Sequence, residues 1–167
     1  MRLALSELWN IDPLAIPLNA LPGKVPLLAK GWGFISISHC SDALLIGWSN
    51  KQLGVDIERS DRHFSAEKLV NRYYSKEEQA ALTNFRGKSF KAHILNQWIA
   101  KEAAIKWQRG SITSDFSKWM YLAKSKSAFH KSFGYKVEID HIKYGKWIIA
   151  IAYEKEEKDI SPIICAE

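Results

Sequence analysis

Between Phe34 and Glu58 short apolar and polar positions follow one another in β-prone runs, and from Ser65 onward the spacing of apolar residues lengthens to three and four. Phe34 to Ser38 and Ala43 to Ser49 predict two strands joined across His39-Cys40-Ser41-Asp42 as a hairpin, with a third strand at Leu53 to Glu58. Ala66, Leu69, Val70 and Tyr73 then stand at helical spacing, and Ser75-Lys76-Glu77-Glu78 reads as a capping box opening another helix with Ser75 as N-cap. Phe90, Ile94, Leu95, Trp98, Ile99 and Ile105 predict a longer helix from about Lys88 to Gln108, stopped by Arg109-Gly110. Strands return at about Phe116 to Leu122, Tyr135 to His141 and Lys146 to Tyr153, followed by a charged tail, Glu154 to Asp159.

Residues 1 to 33 hold Pro13, Pro17, Pro22 and Pro26 with Gly23, Gly31 and Gly33, which predicts irregular, mostly extended backbone and no long helix. The order sheet, helices, sheet argues for an α+β fold with antiparallel hairpins rather than a regular βαβ alternation. Ile35 to Trp48 and Val137 to Ala152 echo one another as strand, His, short turn, strand; two unrelated hairpins and two lobes on one plan both account for that.

Composition narrows the setting. A chain of 167 residues, 47% hydrophobic and 25% charged, is too apolar for a disordered segment and too short for a large multidomain machine. The excess of 24 Lys and Arg over 18 Asp and Glu gives a net charge of +6, which suits a polyanionic ligand or partner. These cations are scattered, with no block of five or six, so a nucleic-acid-binding arm is not expected. Cys40 and Cys165 lie far apart and show neither disulfide-framework nor zinc spacing. With no signal-peptide pattern and no apolar run near the roughly 18 residues a membrane span needs, a cytoplasmic location is expected.

Side-chain alternation puts Asp56 and Glu58 on one face of their strand, with Val55 and Ile57 on the other. Adjacent carboxylates either meet solvent or hold a hard divalent cation such as magnesium. Trp98, Glu102 and Lys106 share one helical stripe, with Lys101 turned about 100° away. Glu102 and Lys106 form either an ordinary helix pair or the carboxylate and ammonium of a phosphoryl-transfer site. Ser38 and His39 end a strand where hydroxyl and imidazole could reach a phosphate oxygen, while His63, His93, His130 and His141 read as surface or packing residues. No glycine-rich nucleotide loop of either common type is present.

In order and spacing, Ile37-Ser38-His39, Gly54-Val55-Asp56-Ile57-Glu58, Arg72-Tyr73-Tyr74-Ser75-x-x-Glu78 and Trp98-x-x-Lys101-Glu102-Ala103-x-x-Lys106 resemble the surfactin-type 4'-phosphopantetheinyl transferases. The resemblance covers roughly Gly23 to Trp107. It implies a two-lobed α+β transferase fold, with an abbreviated N-terminal lobe over 1–60, a C-terminal lobe over 61–167, and the active-site cleft between them. It implies that Asp56, Glu58 and Glu102 hold Mg2+, that Glu102, or a metal-bound water it polarises, serves as base, that Lys106 stabilises or protonates the departing phosphate, and that Lys24, Ser38 and His39 contact coenzyme A. The implied reaction moves phosphopantetheine from coenzyme A to a serine of an acyl or peptidyl carrier protein. Three positions depart from the family pattern: Cys40 replaces the second serine of Ser-His-Ser, only 22 residues precede Gly23-Lys24, and Gly110 stands alone where Gly-x-Gly is usual. A non-catalytic relative that binds coenzyme A or a carrier protein is the alternative, and both a monomer and a homodimer remain open.

Overall fold

The computed structural model describes residues 1–155 of the chain. It opens on a helix, α1 (Arg2–Trp9), where the sequence predicts extended backbone. This helix ends before the first proline, on Asn10 in the left-handed conformation, so the Pro-rich pattern that follows says nothing against it. Its Leu5 packs with Ile16 and Ile35, and Trp9 meets Trp32 and Trp48 edge-on, forming a small core of its own. A two-stranded ribbon, β1 (Leu18–Asn19) and β2 (Leu27–Leu28), follows.

The predicted hairpin is present as β3 (Phe34–Cys40) and β4 (Ala43–Ser49), and the third strand as β5 (Leu53–Arg59). Two short helices come next, α2 (Ala66–Tyr73) and α3 (Lys76–Ala81), the latter with the full Ser75–Glu78 capping box. The long helix α4 (Gly87–Gln108) stops on left-handed Arg109, as its sequence predicts. A short helix α5 (Ile112–Asp115) occupies the approach to the strand predicted from Phe116, which begins only at β6 (Trp119–Leu122). Between the predicted strands stands an additional one, β7 (Ser127–His130), followed by β8 (Lys136–Tyr144) and β9 (Trp147–Tyr153). Most of the charged tail, and Cys165, lie outside the described residues.

One antiparallel sheet of order β5-β9-β8-β7-β6 forms the body of the molecule. Strand β5 comes from the segment placed in the first lobe by sequence, yet it pairs with β9 from Leu53 opposite Tyr153 to Arg59 opposite Trp147, so the sheet crosses the division at residue 60. Helix α4 packs across this sheet through Ile94, Leu95, Ile99, Ala103 and Ala104 against Ala128, Val137, Ile139, Ala150 and Ala152, all buried. The alanines on both surfaces let helix and sheet approach closely. The β3–β4 hairpin forms a separate sheet laid against β5. No helix among the described residues is long and apolar enough to cross a membrane.

Candidate active site

The contact between β5 and α4 builds the site. Gly54 faces the helix at its closest approach: a side chain there would overlap the Ala103 carbonyl and the Trp107 amide. Glycine in a strand interior marks such an approach, and here it lets the next residues on the same face, Asp56 and Glu58, stand beside Glu102 and Lys106 of the helix. Sequence reading includes Gly54 in the motif without assigning it this role; a glycine inside a β-branched run was the available signal.

Asp56 is 2% exposed. Its Oδ1 accepts a hydrogen bond from the Ser38 hydroxyl at 2.6 Å and one from the Lys106 ammonium at 2.7 Å, and Lys106 also donates to Ser38 Oγ at 2.8 Å. These three side chains, from β3, β5 and α4, therefore close a triangle. Asp56 Oδ2 is buried and has no hydrogen-bond partner among the described residues. A bare carboxylate oxygen out of water is costly unless something positive or protic meets it.

Glu102 lies alongside, its pKa raised by burial first and by the neighbouring Asp56 and Glu58 carboxylates after that, with Lys106 and Arg62 pulling the other way. The Glu58 carboxyl is raised by burial and by Asp56, and lowered by Arg62, with which it forms an ion pair. Two carboxyls held above their usual range, by burial first and by the adjacent Asp56 carboxylate next, mark a site short of positive charge. Among the described residues no three acidic, His or Cys side chains are drawn into a closed cation cage; Lys106 and Arg62 stand at Asp56 and Glu58. The donor set nevertheless suits a hard cation: carboxylate oxygens only, one of them buried and unpartnered.

An open cleft of about 580 Å3 runs beside Glu58, lined by Cys40, Ser41, Arg59, Asp61, Arg62 and His63. Arg59, Arg62 and His63 escaped the sequence reading as site residues, because only the folded hairpin shows that they share a wall with Cys40. The wall is tied together by Asp42, which pairs with Arg59 and Lys146 at 2.6 Å each and accepts from the Trp147 indole at 3.0 Å. Those partners hold the Asp42 carboxyl far below the usual carboxylate range, Lys146 most of all.

His39 and Lys24, assigned by resemblance to coenzyme A, are both exposed, and no hydrogen bond among the described residues joins either to the Asp56 triangle. Lys24 sits in a turn where its amide donates to the Leu21 carbonyl beside left-handed Gly23. The remaining motif block has a structural meaning. Lys101, fully buried, donates to both carboxylate oxygens of Glu78 at 2.9 and 3.1 Å and lies over the Tyr74 and Phe116 rings at 4.6 and 4.4 Å. It fastens α3 to the helix that carries Glu102. Of the two roles left open for His130, surface or packing, the structure shows the second: it is buried, its Nδ1 accepting the Ser132 and Phe133 amides.

A family model for the 4'-phosphopantetheinyl transferase superfamily matches residues 52–152, well over half of the chain and spanning β5 to β9 with all of α4. The protein belongs to the 4'-phosphopantetheinyl transferase superfamily, and is thus a transferase of phosphopantetheine. No curated protein matches the chain.

Proposed function

We propose that the protein transfers 4'-phosphopantetheine from coenzyme A to a serine of an acyl or peptidyl carrier protein in a magnesium-dependent reaction, releasing adenosine 3',5'-bisphosphate. The observation that carries this reading is the Asp56–Ser38–Lys106 triangle beside Glu102, with one Asp56 oxygen buried and unpartnered.

In this reaction the carrier serine oxygen forms a bond to the β-phosphorus of coenzyme A, and the bond from that phosphorus to the bridging oxygen breaks. Mg2+ held by Asp56, Glu58 and Glu102 would offset the negative charge of the pyrophosphate. Lys106 places its ammonium by Asp56 and Ser38 with two donors engaged, which leaves a third for the departing phosphate. A carboxyl raised above its usual range is the better proton acceptor once ionised, which suits Glu102 to take the serine proton. The cleft beside Glu58 offers Arg59, Arg62 and His63 to an anionic substrate. A net charge of +6 favours encounter with an acidic carrier.

Mass spectrometry of a carrier protein incubated with this protein, coenzyme A and Mg2+ tests the proposal. Addition of one phosphopantetheine mass to a serine is expected, and its loss with Asp56→Ala. An unmodified carrier with retained binding of coenzyme A would instead support the non-catalytic relative. Turnover surviving in Glu102→Gln would remove Glu102 as the base.

A further inference from the structure

Strand β8 outruns its partner on one side. Against β9 it pairs from Glu138 to Tyr144, but against β7 only from Lys136 to Glu138. One more bond, from the Ile139 amide to the Lys126 carbonyl at 2.7 Å, closes that ladder where the turn from β6 enters β7. Backbone groups of alternate residues in a strand point the same way. The amides and carbonyls of His141 and Lys143 therefore face the side that β7 has left, and no strand lies against them among the described residues.

The gap is a cleft of about 360 Å3 with Lys126 at its end, Tyr121 and His141 on the side of α4, and Asp140, Ile142 and Ile151 on the other. Its walls are held in place. His141 Nε2 lies 3.1 Å from the Asn96 carbonyl of α4, its Nδ1 faces the Tyr121 hydroxyl at 3.4 Å, and Asp140 accepts from the Tyr153 hydroxyl at 2.9 Å.

Open edge groups of this kind pair with a further strand, and the surroundings select which. Lys124, Lys126 and Lys143 are exposed, and none forms an ion pair among the described residues. A second copy of the chain, paired antiparallel about Ile142, would bring both sets of lysines to one seam between two chains of net charge +6. Like charges facing one another across strands are destabilising. An acidic strand meets no such penalty.

We propose that the edge of β8 from His141 to Lys143 is a docking site for an extended, acidic segment of a partner polypeptide, which adds to the sheet beside β8. Side chains of a strand alternate between faces, so its carboxylates would stand toward Lys143 and the apolar residues between them against Ile142 and Ile151. The edge lies two strands away from β5 and uses no residue of the Asp56 site, so this inference does not depend on the transfer reaction.

The test follows, by fluorescence anisotropy, a fluorescein-labelled hexapeptide of alternating glutamate and valine. Two further forms carry N-methyl groups on the glutamate nitrogens or on the valine nitrogens. Only every second amide of an added strand bonds to the edge, so the unmodified peptide and one methylated form should bind while the other methylated form does not. Hydrogen exchange at the His141 and Lys143 amides should slow when the peptide binds. Lys143→Pro, which removes an edge donor where proline is tolerated, should weaken binding about tenfold or more. Lys143→Ala, which removes only the charge, should weaken it about fivefold or less. The methylated peptides and the exchange measurement use the wild type and so do not require the proline variant to fold. Equal binding of all three glutamate peptides, the result that charge alone would give, overturns the proposal, as does absence of binding. Dimerisation of the wild type in sedimentation, with the same two amides protected in the absence of peptide, overturns it in favour of a second copy.

Discussion

The Lys106 ammonium lies 2.7 Å from Asp56 Oδ1, joining residues fifty positions apart in sequence at the seam of α4 and β5. Asp56 is nearly inaccessible, whereas the Lys106 side chain is 29% exposed. One partner is thus fixed in the protein and the other reaches outward from it, an arrangement suited to handing positive charge to a substrate.

Lys106→Met should reduce transfer by about 100-fold or more, the range seen when a single charge-stabilising donor is removed from a reacting centre. It also leaves the Asp56 carboxylate buried against Ser38 alone, and breaking such pairs is destabilising. A lowered Tm together with lost transfer is expected; a variant with normal turnover would remove Lys106 from the chemistry.

Added Mg2+ should raise the Tm of the wild type, since a ligand bound only by the native state stabilises it in proportion to the logarithm of its concentration. The buried, unpartnered Asp56 Oδ2 makes this increment depend on Asp56. Thermal scans with Mg2+ and with chelator should therefore differ in the wild type and coincide in Asp56→Asn. An equal Mg2+ increment in both proteins would place the ion elsewhere.

Gly54→Ala should separate α4 from β5, because the added methyl meets backbone of Ala103 and Trp107, which cannot rotate aside. Overpacking of this kind costs about 1–3 kcal/mol, read as a reduced urea midpoint. Transfer should fall further than stability alone explains, since Glu102 and Lys106 move with the helix. By contrast, Gly23→Ala meets no neighbouring atom and costs only the strain of its left-handed backbone.

Burial brings the Lys101 pKa down to about 8 from an ordinary 10.5, against the opposing pull of Glu78. Between these values the unfolded chain binds more protons than the folded one, so stability gained from this group rises with pH over that window and is lowest below about 8. Relative to the double variant Lys101→Met, Glu78→Gln, which cannot titrate there, the wild type should gain urea stability from pH 8 to 10. A constant gap across that range would mean that Lys101 titrates normally. The single variant Lys101→Met should be the least stable, as it strands the Glu78 carboxylate in the core.

The periodic parts of the molecule were legible in the chain. β-prone runs gave β3, β4 and β5, and alternation put Asp56 and Glu58 on one face; helical spacing and the Ser75–Glu78 box gave α2, α3 and α4. These features depend on contacts within a few residues, and local stereochemistry is written locally. Helix α1 and strand β7 escaped because neither carries its own strong period: α1 borrows its stability from Ile16 and Ile35, and β7 from pairing with β6 and β8.

The residue types of the site were equally plain in sequence, but not their partners. That Lys106 answers Asp56, that Ser38 turns inward to both while His39 faces out, and that Lys101 is sealed against Glu78 follow from distances set across elements dozens of residues apart. Sequence determined which side chains could hold charge and on which face each would stand. Only tertiary packing decided which of them meet, because burial and charge compensation are properties of the assembled core and not of any one segment.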